Sequence, residues 1–187
     1  GIAVDSSGTV YVADTGNHVI RMINSAGMVS TLAGVAGSPG AVDGTDTNAR
    51  FKSPTGIVIG TDGNLYVADQ GNNTIRKVTT AGNVSTLAGA AGIRGNADGT
   101  ASDARFSSPT GLCTDNAGNL YISDTSNHLI RKITPSGEVS TVAGNSGASH
   151  IVLGVGGTLN QPIGITINNS SSTIYTTGES AVLSITP

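Results

Sequence analysis

The chain has 187 residues, enough for one domain with a substantial core. Apolar residues make up 37% but aromatic residues only 3%, so the core is expected from Val, Ile, Leu and Ala, with the 27 glycines in tight turns. Charged residues reach only 11%, well under the roughly 25% of ordinary soluble domains, which leaves Ser, Thr, Asn and Gly to cover the surface. With nine basic residues against twelve acidic, no basic patch is available for a phosphate backbone, which excludes nucleic acid as an expected partner. No apolar run approaches the ~20 residues needed to span a bilayer. Cys113, the only cysteine, excludes an intramolecular disulfide and a cysteine-based zinc site; it is expected as a small core residue.

One stretch recurs. Residues 10–21 (VYVADTGNHVIR), 65–76 (LYVADQGNNTIR) and 120–131 (LYISDTSNHLIR) are near copies, and a damaged fourth begins at Ile174. Such spacing reports a repeat architecture. The repeats run 1–55, 56–110 and 111–163, with a partial copy at 164–187.

Each repeat opens at Gly1 (GIAVD), Gly56 (GIVIG), Gly111 (GLCTD) or Gly164 (GITIN), a short apolar run expected as a strand buried on both faces. A tight turn with Gly8, Gly63 or Gly118 follows. The second strand alternates Tyr11, Tyr66, Tyr121 or Tyr175 with small residues, which predicts one packed face. The turn TGNH, QGNN or TSNH leads to a third strand (VIRMI, TIRKV, LIRKI), and a further turn leads to a fourth (VSTLAG twice, then VSTVAG). The reading is a four-stranded antiparallel meander per repeat. Pro54, Pro109 and Pro162 stand just ahead of the first strand, where they stiffen the chain without removing a ladder bond.

Long connectors join the repeats. VDGTDTNARFKSPT and ADGTASDARFSSPT align without gaps, whereas the third connector keeps only its Gly-rich character and Pro162. Connectors of this length without secondary structure are commonly functional. The fourth copy carries Gly178 in place of the aspartate and Leu183 in place of the arginine, and stops after its third strand. Fifteen strands are therefore expected. The chain starts inside a repeat and is expected to be a piece of a longer protein.

The pattern resembles the NHL repeat family, in its long-repeat form. The residues that carry the resemblance include Gly56, Tyr66, Asp69, Asn72, Arg76 and Lys77, with Asn17–His18 and Asn127–His128 in the outer copies. It covers about 1–144 most closely. The resemblance and the four-stranded period imply an all-β β-propeller of three full blades and a three-stranded partial fourth, completed within a larger ring or between molecules.

Among candidate sites, Asp14, Asp69 and Asp124 are read as structural turn residues paired with Arg21, Arg76 and Arg131, seven residues on. The interchange of His18 and His128 with Asn73 points to turn hydrogen bonding; His150 stands alone in the third connector. No shared metal position is expected. Asp43, Asp46, Asp98 and Asp103 mark candidate interaction loops, with turn formation as their simplest role. Phe51 and Phe106, the only two Phe, are expected as plugs between blades, with Leu159 in that role later. Sequons at Asn72, Asn83, Asn168 and Asn169 are candidate glycosylation sites, but their number matches chance.

No phosphate loop, nucleophile elbow or nucleophile–base pair is visible. The expectation is a non-catalytic extracellular scaffold without cofactor, binding proteins, glycans or further copies of itself through loops and open blade edges. The alternatives are a metal-dependent lyase or lactonase-like enzyme on a propeller, and an intracellular NHL domain that binds RNA or protein.

Overall fold

In the computed structural model, residues 1–147, 158–178 and 181–186 are described. Among the described residues seventeen strands run in chain order: β1 Ile2–Val4, β2 Val10–Asp14, β3 Val19–Ile23, β4 Val29–Ala33, β5 Gly44–Thr45, β6 Pro54–Ile59, β7 Leu65–Asp69, β8 Thr74–Val78, β9 Asn83–Ala88, β10 Gly99–Thr100, β11 Pro109–Thr114, β12 Leu120–Asp124, β13 Leu129–Ile133, β14 Glu138–Gly144, β15 Ile165–Asn168, β16 Thr173–Thr177 and β17 Val182–Ile185. They form four antiparallel sheets, the blades of a propeller: β1-β2-β3-β4, β5-β9-β8-β7-β6, β10-β14-β13-β12-β11 and β15-β16-β17. The all-β propeller expected from the repeats is what the chain adopts, with a fourth blade of three strands.

The expected count of fifteen strands falls short by two. The connectors are not structureless. Each of the first two lays down a two-residue strand, β5 or β10, followed by a 3-10 turn. That strand joins not the blade it leaves but the outer edge of the next one: Gly44 pairs with Val84 and Gly99 with Val139. Two residues are too few to carry a periodic signal, so the pattern alone gave no sign of them.

The first strands β1, β6, β11 and β15 surround the axis and line an open cavity of about 380 Å³ with Ile2, Val4, Ile57, Ile59, Leu112 and Cys113 among its walls. This corrects the expectation that these strands are buried on both faces: in β6 Ile57 is buried but Val58 and Ile59 are only partly so, and in β1 Ile2 and Val4 are exposed. The repeat-opening glycine is explained here. A Cβ on Gly56 would sit 2.2 Å from the Thr110 carbonyl oxygen of the neighbouring blade, and one on Gly111 would sit 2.3 Å from that of Ile163. Adjacent first strands approach too closely for any side chain.

The core lies between blades. One cluster joins Tyr11, Ile20 and Leu32 of blade 1 to Phe51, Leu65 and Val67; the next joins Ile75 and Ala88 to Phe106, Leu120 and Ile122. Phe51, Phe106 and Leu159 are all buried, as plugs should be. Of the four repeat tyrosines, Tyr11 and Tyr121 are buried, but Tyr175 in the last blade is 40% exposed.

Candidate functional site

The polar residues of the repeat converge on the seams between blades. In blade 2, Arg76 is fully buried beside Asp69, also fully buried, with Nη1 donating to Asp69 Oδ2 at 2.8 Å. Asp69 also accepts from the Lys52 backbone N–H at 2.7 Å and from Asn72 Nδ2 at 2.7 Å. The other side of the guanidinium faces the incoming connector. Its Nη2 donates to Asp43 Oδ1 at 2.6 Å and to the Val42 carbonyl, and Nη1 donates to the Arg50 carbonyl. Phe51 lies under the same guanidinium, 5.1 Å from ring centroid to Cζ. Asp43 Oδ2 in turn accepts from the Thr86 backbone N–H at 3.1 Å. A β-bulge between Ile75 and Arg76 displaces the ladder at this point.

Blade 3 repeats the arrangement atom for atom. Arg131 donates to Asp124 at 3.0 Å, to Asp98 at 2.7 Å and to the carbonyls of Ala97 and Arg105, over Phe106. A buried guanidinium needs this many acceptors, because removing a charge from water costs several kcal/mol unless its donors are satisfied; both Nη atoms are satisfied here, while Nε of Arg76 and of Arg131 is buried without an acceptor. Burial pushes the Asp69 and Asp124 carboxyls above the ordinary carboxylate range, against the donors Asn72 and Asn127, the backbone N–H groups and the arginines.

Blade 1 carries the same residues in a different state. Arg21 Nε meets Asp14 at 3.1 Å with both side chains about a quarter exposed (29% and 27%). Here the Asn17 amide holds the Asp14 carboxyl below its usual range, with desolvation opposing and Arg21 adding to the effect. No connector strand covers β4 among the described residues. Val29 is 64% exposed, where its counterparts Val84 and Val139 are 5% and 2% exposed.

The histidines are seam residues as well. His18, Asn73 and His128 all occupy left-handed backbone (φ 61°, 58° and 61°). His18 Nδ1 accepts from the Ser53 N–H at 3.0 Å, Asn73 Oδ1 from Ser108 N–H at 2.9 Å, and His128 Nδ1 from Gln161 N–H at 3.1 Å. Asn replaces His because both place an acceptor at that point and Asn tolerates the left-handed region. His150 lies outside the described residues. Among the described residues no three His, Cys, Asp or Glu groups are placed to hold a metal.

The candidate loop carboxylates divide. Asp43 and Asp98 are engaged by the arginines as above. Asp46 and Asp103 are exposed; the Asp46 backbone bridges two blades, its N–H donating to Gly82 and its carbonyl accepting from Gly34. Of the sequons, Asn72 is 6% exposed with Nδ2 donating to the Gly40 carbonyl and to Asp69, so the folded chain offers no amide there for glycosylation. Asn83, Asn168 and Asn169 are exposed. Cys113 is buried; burial, and then Asp115, push its thiol up to about 12, so it stays protonated at neutral pH.

Two features were missed in the sequence reading. One is the reach of Asp43 and Asp98 to arginines 33 residues later. The other is a tyrosine–aspartate pair in each first hairpin: Tyr11 with Asp5, Tyr66 with Asp62, Tyr121 with Asp115. A signal for the second existed, an aspartate four or six residues ahead of each tyrosine. In blade 2 it has moved by two positions, and it still reaches the hydroxyl.

Comparison with known proteins agrees with this geometry. The NHL repeat model matches residues 1–21, 51–78 and 106–133. NHL repeat-containing protein 2 of Bos taurus is 34% identical over 144 residues, 70% of this chain and 20% of that protein. Among solved structures, a protein of unknown function from Bacteroides thetaiotaomicron superposes with a TM-score of 0.77 at 26% identity, covering 95% of this chain and 44% of that one. An auxiliary nutrient binding protein from Bacteroides ovatus gives a TM-score of 0.69 at 20% identity, over 94% and 44% of the two chains. This chain thus spans about a fifth of the length of that relative and under half of these structures. The chain belongs to the NHL repeat family.

Proposed function

We propose that this NHL propeller segment is a non-catalytic interaction module that joins other polypeptide through its two end blades. One observation carries the reading. Among the described residues, seven of the nine exposed large hydrophobic side chains belong to the ends: Ile2, Val4, Met28 and Val29 in blade 1, Ile163, Tyr175 and Val182 at blade 4. The bodies of blades 2 and 3 contribute none. Exposed apolar groups clustered at unpaired sheet edges mark surfaces that are normally covered.

The seams support the same reading. Their charged groups hold blades together, with both Nη atoms of Arg76 and Arg131 given to carboxylate and carbonyl acceptors of the same seam. The axial cavity is lined by Ile, Val, Leu, Ala, Cys and Thr residues, with no Asp, Glu, His, Lys or Arg among them. An extracellular setting fits the low charge and the three exposed sequons at Asn83, Asn168 and Asn169.

Sedimentation velocity over a wide concentration range tests the module. Reversible association, weakened by Val182→Glu, is the expected result. A single monomeric species at every concentration, unchanged by that substitution, overturns it.

A further inference from the structure

Resting on that reading, we propose that the outer edge of blade 1 is a docking site for one kind of segment: an extended connector bearing apolar–Asp–Gly–Thr and, after three residues, Ala–Arg–Phe, supplied from outside residues 1–187.

The occupant is identified by the neighbouring blades. In blades 2 and 3 the outer strand is covered by a segment of this pattern, in the same register both times: Gly opposite Val84 or Val139, Thr opposite Asn83 or Glu138. The aspartate ahead of that Gly bonds the blade's arginine and the backbone N–H of Thr86 or Thr141. The Arg50 or Arg105 carbonyl caps the guanidinium, and the following Phe slides beneath it.

Blade 1 keeps every receiving part of this clamp. Asp14, Arg21 and Thr31 hold the positions of Asp69, Arg76 and Thr86, and a bulge falls between Ile20 and Arg21 as it does in the other two blades. What differs is the incoming half. Without it, Arg21 turns to Thr31 through Nη1, and among the described residues no hydrogen bond occupies its Nη2. Val29, which would face the incoming Gly, is the bare position, where Val84 and Val139 are buried.

Blade 4 supplies the control. There the incoming connector, residues 145–163, contains no aspartate at all, and the arginine position holds Leu183 and the partner aspartate position Gly178. The incoming acid and both receiving groups have gone together. A blade that took no connector would have no use for Arg21 and Asp14 in this arrangement, yet blade 1 retains both. Nor does a second copy fit well as occupant: its first two connectors are committed to its own blades 2 and 3, and its third lacks the aspartate.

The test grafts residues 35–55 directly ahead of Gly1, the spacing by which the same residues lead into Gly56. The readout is amide hydrogen exchange in the folded chain. Docking is expected to slow exchange at Thr31 about tenfold or more, the size of a backbone hydrogen bond to a carboxylate. Changing the grafted copy of Asp43 to Ala, or Arg21→Met in the host, is expected to abolish most of that gain; the former leaves the host sequence untouched. Unchanged exchange at Thr31 in the grafted chain overturns the docking site, while concentration-dependent association of the ungrafted chain would leave the interaction module standing. A gain that survives the Asp43→Ala change in the graft also overturns it, since mere tethering would then be the cause.

Discussion

Blades 1 and 2 share the motif V-A-D-x-G-N-x-x-I-R, yet Asp14 and Arg21 are about a quarter exposed while Asp69 and Arg76 are sealed. The difference originates 33 residues before Arg76, in the connector that carries Asp43 and the strand Gly44–Thr45. Covering the outer edge buries Val84, encloses the ion pair and reverses the direction in which the aspartate's pKa moves. One short segment thus turns a surface ion pair into a core one. Identical residues in adjacent blades differ in energetic weight because their environments differ, not their chemistry.

The largest effect expected from this contrast is at the arginines. Arg76→Ala strands Asp69 in the core and should cost about 3–5 kcal/mol, whereas Arg21→Ala should cost about 1 kcal/mol or less, measured by chemical denaturation. Equal losses would show that burial of the pair does not set its weight. The connector acid comes next. Asp43→Ala removes one of the acceptors around Arg76 and should cost about 1–3 kcal/mol, while Asp46→Ala, on the exposed turn beside it, should stay within about 0.5 kcal/mol. Smaller again is the seam acceptor: His18→Ala should lose about 1 kcal/mol with the Ser53 N–H bond, and His18→Asn should stay within about 0.5 kcal/mol, because blade 2 already uses Asn73 there.

The pH dependence separates the blades most finely. Asp14 has a lowered pKa in the folded chain, so its contribution is present above the unfolded value of about 3.9 and is lost as pH falls through the folded value. Asp69 and Asp124 have raised values. The folded chain takes up their protons more readily than the unfolded chain, so they oppose folding as pH rises from about 3.9 through the folded value and do not drive acid unfolding. Asp14→Asn should therefore flatten the acid limb of a stability–pH curve, and Asp69→Asn should not. A flatter acid limb in the Asp69 variant would contradict the assignment.

Much of the blade was legible in the repeated words. The hairpin turns, the second-strand aspartate and its arginine seven residues on, the Phe plugs and the His–Asn interchange all lie within one repeat and recur, so local pattern and comparison between copies exposed them. The connector was not legible in the same way. Asp43 looks like a turn residue beside Gly44, and only the path of the chain carries it to the next blade. Asn72 looks like an open sequon in a turn, yet the same path places the Gly40 carbonyl over it. Tyr175 keeps the tyrosine position but not its burial, in the blade that has three strands.

By itself, the sequence determined the period, the strands of each meander, the propeller and the residues able to form an ion pair, because these follow from side-chain alternation, turn chemistry and spacing along the chain. The tertiary structure decided which of those pairs are buried, which edges are closed and which asparagines are accessible. Those properties depend on a segment arriving from the preceding repeat, and contacts across more than thirty residues leave no period in the sequence to read.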